Sequence, residues 1–125
     1  MKILLDTHVY IWWLMRSPKL SVEAIRRIES ADEVYVSAAS IWEASIKTGT
    51  GKLRADIDEL HRKIAHNQFI ELPVTAQHAV TSSTLPPLHK DPFDRILVAQ
   101  AISEPLRLLT ADRRLGSYSD LVDLL

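Results

Sequence analysis

Lys2-Ile3-Leu4-Leu5-Asp6 is a short apolar run that ends on an acid, and Thr7–Met15 follows it directly. The first stretch reads as a β-strand and the second as a helix that Ser17-Pro18 breaks. The same alternation continues along the chain. Ser21–Ser30 carries Val22, Ile25 and Ile28 at helical spacing, with Ser21 as N-cap. Glu33–Val36 reads as a second strand, and Ser37–Thr48 as a helix stopped at Gly49 and Gly51. Asp56–Asn67 opens on Asp56-Ile57-Asp58-Glu59, the pattern of a capping box, and sets Ile57, Leu60 and Ile64 on one face. Phe69–Leu72 is a short strand closed by Pro73, and Thr75–Ser82 a helix expected to turn Ala76, Ala79 and Val80 inward. A proline-bearing loop, Leu85–Lys90, leads to the helix Pro92–Ser103, whose Ile96-Leu97-Val98-Ala99 is apolar nearly all round and therefore central. Arg107–Thr110 is a strand, and Leu121–Leu125 is read as the last one. Strands alternating with helices predict an α/β fold with a mainly parallel central sheet and helices on both faces. Sites in such sheets form outside the carboxyl ends of the strands.

The length, 125 residues, suits a single domain over 1–125, able to bury about two-thirds of the surface its unfolded chain exposes. Apolar residues make up 46% and charged residues 25%, so an ordinary hydrophobic core is within reach. The absence of cysteine excludes a disulfide framework and a thiolate zinc site, and fits a cytoplasmic setting. Apolar runs fall short of the ~20 residues that span a bilayer, so no membrane role is expected. Asp6 comes too early for the start to read as a signal peptide. A formal net charge of −1 argues against a tight nucleic-acid binder but hides local patches. Arg95, Arg113 and Arg114 all lie near acids in the sequence.

Those acids recur at strand–helix junctions. Asp6 ends the first strand, where it serves either as a helix N-cap or as a ligand at the sheet edge. Glu43 lies about two turns into the helix after the second strand, free to lean toward that edge or to pair with Lys47 four residues on. Asp91 and Asp94 flank Pro92-Phe93; proline at the first helical position makes Asp91 the N-cap and puts Asp94 in the first turn, facing a cation or closing the cap. Asp112 follows the strand Arg107–Thr110 as a turn residue or a further ligand. Each has a sufficient structural explanation alone; their common placement is the informative feature. Carboxylates gathered at one edge raise each other's pKa unless a cation lies between them. Oxygen-only ligands favour Mg²⁺ or Mn²⁺ over zinc. Such an ion can generate a hydroxide nucleophile and steady the charge on a phosphate.

Other chemistries lack their residues. The chain has three glycines and no glycine-rich phosphate loop after the first strand, and no Gly-x-Ser-x-Gly elbow. His61 and His66 read as solvated helix residues. His8 is a first-turn helix residue or a hydrogen-bonding neighbour of Asp6. An aspartyl-phosphate phosphatase built on Asp6 needs a second aspartate two residues on, where His8 stands, and a receiver domain needs an acidic pair that is missing. A non-catalytic module whose acids are only caps stays open on these residues.

Four stretches in order resemble the motifs of PIN-domain proteins of the VapC toxin type. They are Leu4-Leu5-Asp6-Thr7-His8 with Trp12-Trp13-Leu14, Val36-Ser37-Ala38-Ala39-Ser40-Ile41-Trp42-Glu43, His89-Lys90-Asp91-Pro92-Phe93-Asp94-Arg95 with Ile96–Ala101, and Leu109-Thr110-Ala111-Asp112. The resemblance spans essentially the whole chain. It implies an α/β/α sandwich and a Mg²⁺- or Mn²⁺-dependent endoribonuclease that leaves 5′-phosphate and 3′-hydroxyl ends. It implies that Asp6, Glu43 and Asp94 hold the metal, with Asp112 joining directly or through water, and that Thr7 supports the site. It also implies a toxin silenced by a cognate antitoxin and commonly a homodimer. Arg95, Arg113 and Lys47 are the candidate RNA phosphate contacts. Trp12 and Trp13 are adjacent, so one helix face cannot bury both; one is expected to anchor a partner, or both lie under the following loop.

Overall fold

The computed structural model describes residues 1–125. Five parallel strands form one sheet: β1 (Lys2–Leu5), β2 (Glu33–Ser37), β3 (Ile70–Leu72), β4 (Arg107–Thr110) and β5 (Val122–Leu124), in the order β3-β2-β1-β4-β5. The helices are α1 (Thr7–Met15), α2 (Val22–Ser30), α3 (Ala38–Gly49), α4 (Ile57–His66), α5 (Ala76–Ser83) and α6 (Pro92–Ser103), and a 3₁₀ turn covers Arg113–Leu115. β1 is central, with Leu4 opposite Tyr35 of β2 and Leu108 of β4.

The pleat of β1 divides the core. Ile3 and Leu5 point to one face, where Val9, Tyr10, Ile28, Leu60 and Ile64 of α1, α2 and α4 cover them. Leu4 points to the other, against Leu97, Val98 and Ala101 of α6. Helices on both faces complete the three-layer α/β/α sandwich. Burying each such leucine or isoleucine contributes about 1.5–3 kcal/mol.

Local chemistry sets the boundaries. The side chains of Ser21, Asp56 and Asp91 accept backbone N–H bonds at the starts of α2, α4 and α6. At α4 the Asp56 half of the expected capping box is present, from Glu59 N–H. α1 ends as Arg16 turns into the left-handed region (φ 51°) and its N–H returns to the carbonyls of Trp12 and Trp13.

One expected face is reversed. On α5, Ala76, Ala79 and Val80 are exposed and His78 is the buried residue. Its Nδ1 accepts the Thr75 N–H at 3.0 Å, which completes a capping box, and its Nε2 donates to Glu104 at 2.6 Å. A satisfied imidazole thus takes the inward place that hydropathy assigns to alanine and valine.

Candidate active site

The chain turns from β1 outward to β2 and β3, then returns to place β4 on β1's other side. The crevice at this switch lies at the carboxyl ends of β1 and β4. The junction is tied across: the hydroxyl of Thr110, last in β4, donates to Asp6 Oδ2 at 2.7 Å, and Asp6 Oδ1 accepts the Thr7 N–H at 2.7 Å. Asp6 is therefore both a cap and a wall of the crevice.

Glu43 turns inward from α3 and is buried. Its Oε1 accepts the Thr7 hydroxyl at 2.7 Å, and that hydroxyl lies 2.8 Å from Ser40 Oγ. Its Oε2 takes the Lys47 ammonium at 2.5 Å. Both expected fates of Glu43, the sheet edge and the pair with Lys47, coexist. Asp94 enters from the first turn of α6, and His89 Nε2 donates to its Oδ2 at 2.7 Å. Asp112 caps the 3₁₀ turn and holds Arg114 at 2.8 Å. Asp91 is the α6 cap expected of it, accepting from the N–H groups of Phe93 and Asp94.

Asp6, Glu43, Asp91, Asp94 and Asp112 line one cleft of about 280 Å³, together with His8, Trp12, Lys47 and Arg114. Five carboxylates (Asp6, Glu43, Asp91, Asp94, Asp112) face it against two cations, Lys47 and Arg114. The imbalance marks the acids. Burial pushes the Asp6 carboxyl above its ordinary value, against the lowering effect of the Thr110 hydroxyl. Burial also raises Asp94, to about 6; the His89 bond opposes this and the charges of Asp6, Asp91 and Glu43 add to it. Lys47 loses affinity for its proton by burial but gains more from Glu43, Asp91 and Asp94, and ends above its ordinary value. Asp112 is held low, first by Arg114.

Two cations differ from their expected placement. The Arg95 guanidinium donates to the carbonyls of Ser82, Leu85, Pro86 and His89 and to the Tyr118 hydroxyl. It clamps the loop before α6, which leaves it unsuited to the phosphate role read from its charge. Arg113 is exposed and does not line the cleft; Arg114 does. His89 went unselected in the sequence because its partner, Asp94, lies five residues on and across a proline. His89, Asp94 and Asp112 each offer a ligand atom, and these atoms lie within 4.8 Å of one another.

A second hollow, about 870 Å³ and more apolar, lies between α1, α2 and α4. Trp12 and Trp13 are both half-buried on its wall. Trp13 donates to Asn67 at 3.1 Å, and Trp12 lines the acidic cleft as well. The strongly exposed tryptophan is instead Trp42 (63%), edge-on to Phe93 at 5.1 Å.

The PIN domain family model matches residues 3–121. Ribonuclease VapC22 of Mycobacterium tuberculosis is 35% identical over 119 residues, covering 93% of this chain and 91% of that protein. The fold matches VapBC2 from Rickettsia felis, solved bound to a promoter DNA fragment (TM-score 0.71, 14% identity, 100% of this chain and 98% of that one). It also matches a toxin–antitoxin complex from Klebsiella pneumoniae (TM-score 0.67, 19% identity, 97% and 95%) and FitAcB from Neisseria gonorrhoeae (TM-score 0.67, 21% identity, 96% and 94%). With the family model spanning nearly its whole length and a VapC ribonuclease aligned to more than nine-tenths of it, the chain belongs to the PIN-domain family.

Proposed function

We propose that this chain, as one domain over 1–125, is a metal-dependent endoribonuclease and the toxin of a toxin–antitoxin pair. The observation that carries this reading is the excess of carboxylates over cations at the sheet's switch point, with Asp6 and Glu43 buried, in a chain 35% identical to a VapC ribonuclease. Repelling acids raised by burial suit a divalent cation, and an all-oxygen carboxylate set suits Mg²⁺ or Mn²⁺. Asp6, Glu43, Asp94 and Asp112 would hold it. When bound, such an ion activates water and neutralises the charge that builds on a phosphodiester.

The chain's own residues prepare the rest. Thr110 and the Thr7 N–H fix the two oxygens of Asp6, and the Thr7 hydroxyl fixes Glu43, so the acids cannot relax apart. Lys47 and Arg114 bring positive charge to an anionic backbone entering the cleft. His8, exposed at the cleft's rim, borders the same path. The apolar groove with Trp12 and Trp13 is the proposed seat of the antitoxin, since tryptophan anchors interfaces and Trp12 also touches the cleft. No helix is long and apolar enough to cross a membrane, in keeping with a cytoplasmic site of action, and a homodimer is the proposed assembly.

RNA-end sequencing after induced expression tests the reading. Discrete new ends that vanish in Asp6→Asn are expected. Ends unchanged by that substitution, or absent from the wild type, overturn it.

A further inference from the structure

We propose that His89 is a nitrogen ligand of the divalent cation on the Asp94–Asp112 side of the cleft, and that it biases the site toward Mn²⁺-class ions over Mg²⁺. The inference rests on the metal-nuclease reading above and deepens it. The His89, Asp94 and Asp112 donor atoms lie within 4.8 Å of one another. Octahedral bonds of about 2.1 Å separate opposite donors by about 4.2 Å and adjacent donors by about 3.0 Å. His89 Nε2 and Asp94 Oδ2, 2.7 Å apart, stand near the spacing of adjacent donors, and the 4.8 Å limit on the three exceeds the opposite-donor span by only about half an ångström. Asp6 and Glu43 face the same cleft from beyond this group, so the nitrogen donor joins the four acids from one side of it.

His89 is held for the role. Its side chain is 11% exposed, and its carbonyl accepts from Arg95 at 3.4 Å and from the Tyr118 hydroxyl at 3.3 Å. The loop clamp built by Arg95 thus fixes the imidazole's backbone. Nε2 sits 2.7 Å from Asp94 Oδ2 with a proton between them. A cation held here would displace that proton from Nε2; the hydrogen would return to the ring at Nδ1 through solvent, and the neutral imidazole would offer Nε2 as the ligand atom. Imidazole nitrogen suits iron, nickel, copper and zinc best, and Mn²⁺, the weakest binder of that row, still accepts it more readily than Mg²⁺, which keeps to oxygen and water. A carboxylate-only site lacks that discrimination.

Pulsed electron paramagnetic resonance of the full chain loaded with Mn²⁺ reads the ligand directly. The expected wild-type spectrum carries ¹⁴N modulation from one imidazole, lost in His89→Gln and kept in His8→Gln. Calorimetric titration should show Mn²⁺ affinity falling about tenfold or more in His89→Gln, with Mg²⁺ affinity changing much less. Bound Mn²⁺ without nitrogen coupling in the wild type overturns the proposal and leaves the nuclease reading standing. So does coupling that survives His89→Gln, or an equal loss of both ions, which marks a merely structural histidine. No Mn²⁺ binding by the wild type overturns both. If His89→Gln fails to fold, His8→Gln still decides: coupling kept there excludes the other imidazole at the cleft, and coupling lost there overturns the proposal.

Discussion

The two ends of the parallel strands treat acidic residues in opposite ways. At Lys2, Glu33 and Arg107, which begin β1, β2 and β4, acids meet cations, Asp123 reaching back to Arg107 from the middle of β5. Lys2 holds Glu33 at 3.1 Å, and Asp123 takes Arg107 and Arg27 at 2.5 Å each. Those partners lower both carboxyls, Asp123 through Arg107 first and Glu33 through Lys2 first. At the carboxyl ends, acids gather in one cleft beyond the cations available, and Asp6 and Asp94 are raised. The nearest arginine in sequence, Arg95, directs its guanidinium to carbonyls and the Tyr118 hydroxyl rather than to Asp94. Paired acids fasten the fold; the underpaired acids are the ones proposed to receive charge from outside it.

The largest expected effect separates the two ends by activity. Asp6→Asn and Glu43→Gln should each lower RNA cleavage by about a thousandfold, the scale of losing a main electrostatic contributor. Asp123→Asn should leave it within about twofold in a gel assay at a temperature where the variant is folded. An activity loss in Asp123→Asn equal to that of Asp6→Asn would erase the distinction.

Stability should divide the other way. Arg95→Ala strips the loop of its clamp and should cost about 1–3 kcal/mol in urea unfolding. Asp123→Asn weakens the bonds to Arg107 and Arg27 and should cost about 1–2 kcal/mol, since both arginines are partly solvated. Asp94→Asn in metal-free protein should be neutral or stabilising, because it removes a raised, repelled charge.

A smaller effect is pH dependence. An unfolded aspartate titrates near 3.9, and Asp94 in the fold near 6. The folded state keeps a proton that the unfolded chain has released, so metal-free stability should fall as pH rises from about 4 to about 6. Asp94→Asn should reduce that slope. Asp123 has the opposite sign: its lowered carboxyl contributes stability above about pH 4, lost as pH falls through its folded value. Urea unfolding across pH 3–8 checks both.

Much of this architecture was legible because periodicity and capping are local. The helix Pro92–Ser103 and the cap roles of Ser21 and Asp91 lie where the residues place them. So does the arrival of Asp6, Glu43, Asp94 and Asp112 at one cleft: Asp6 and Asp112 follow strands, Asp94 lies in the first turn of a helix, and Glu43 leans in from about two turns along one. Features decided by distant partners were not legible. His78 is buried because Glu104 and Thr75 satisfy its ring, which hydropathy does not register. Arg95 looks like a phosphate contact until the loop carbonyls around it are seen. Trp42 sits in an apolar helix that gives no sign of its exposure, whereas Trp12 and Trp13 are half-covered.

Thermal melting of the wild type and Asp6→Asn, with and without Mn²⁺, tests most directly whether the underpaired acids form a cation site. An ion that binds only the folded wild type adds about 2.7 kcal/mol at a hundred times its dissociation constant. The wild type should therefore melt several degrees higher with Mn²⁺, and Asp6→Asn should gain little. A wild type unmoved by Mn²⁺, or an equal gain in Asp6→Asn, would contradict the account.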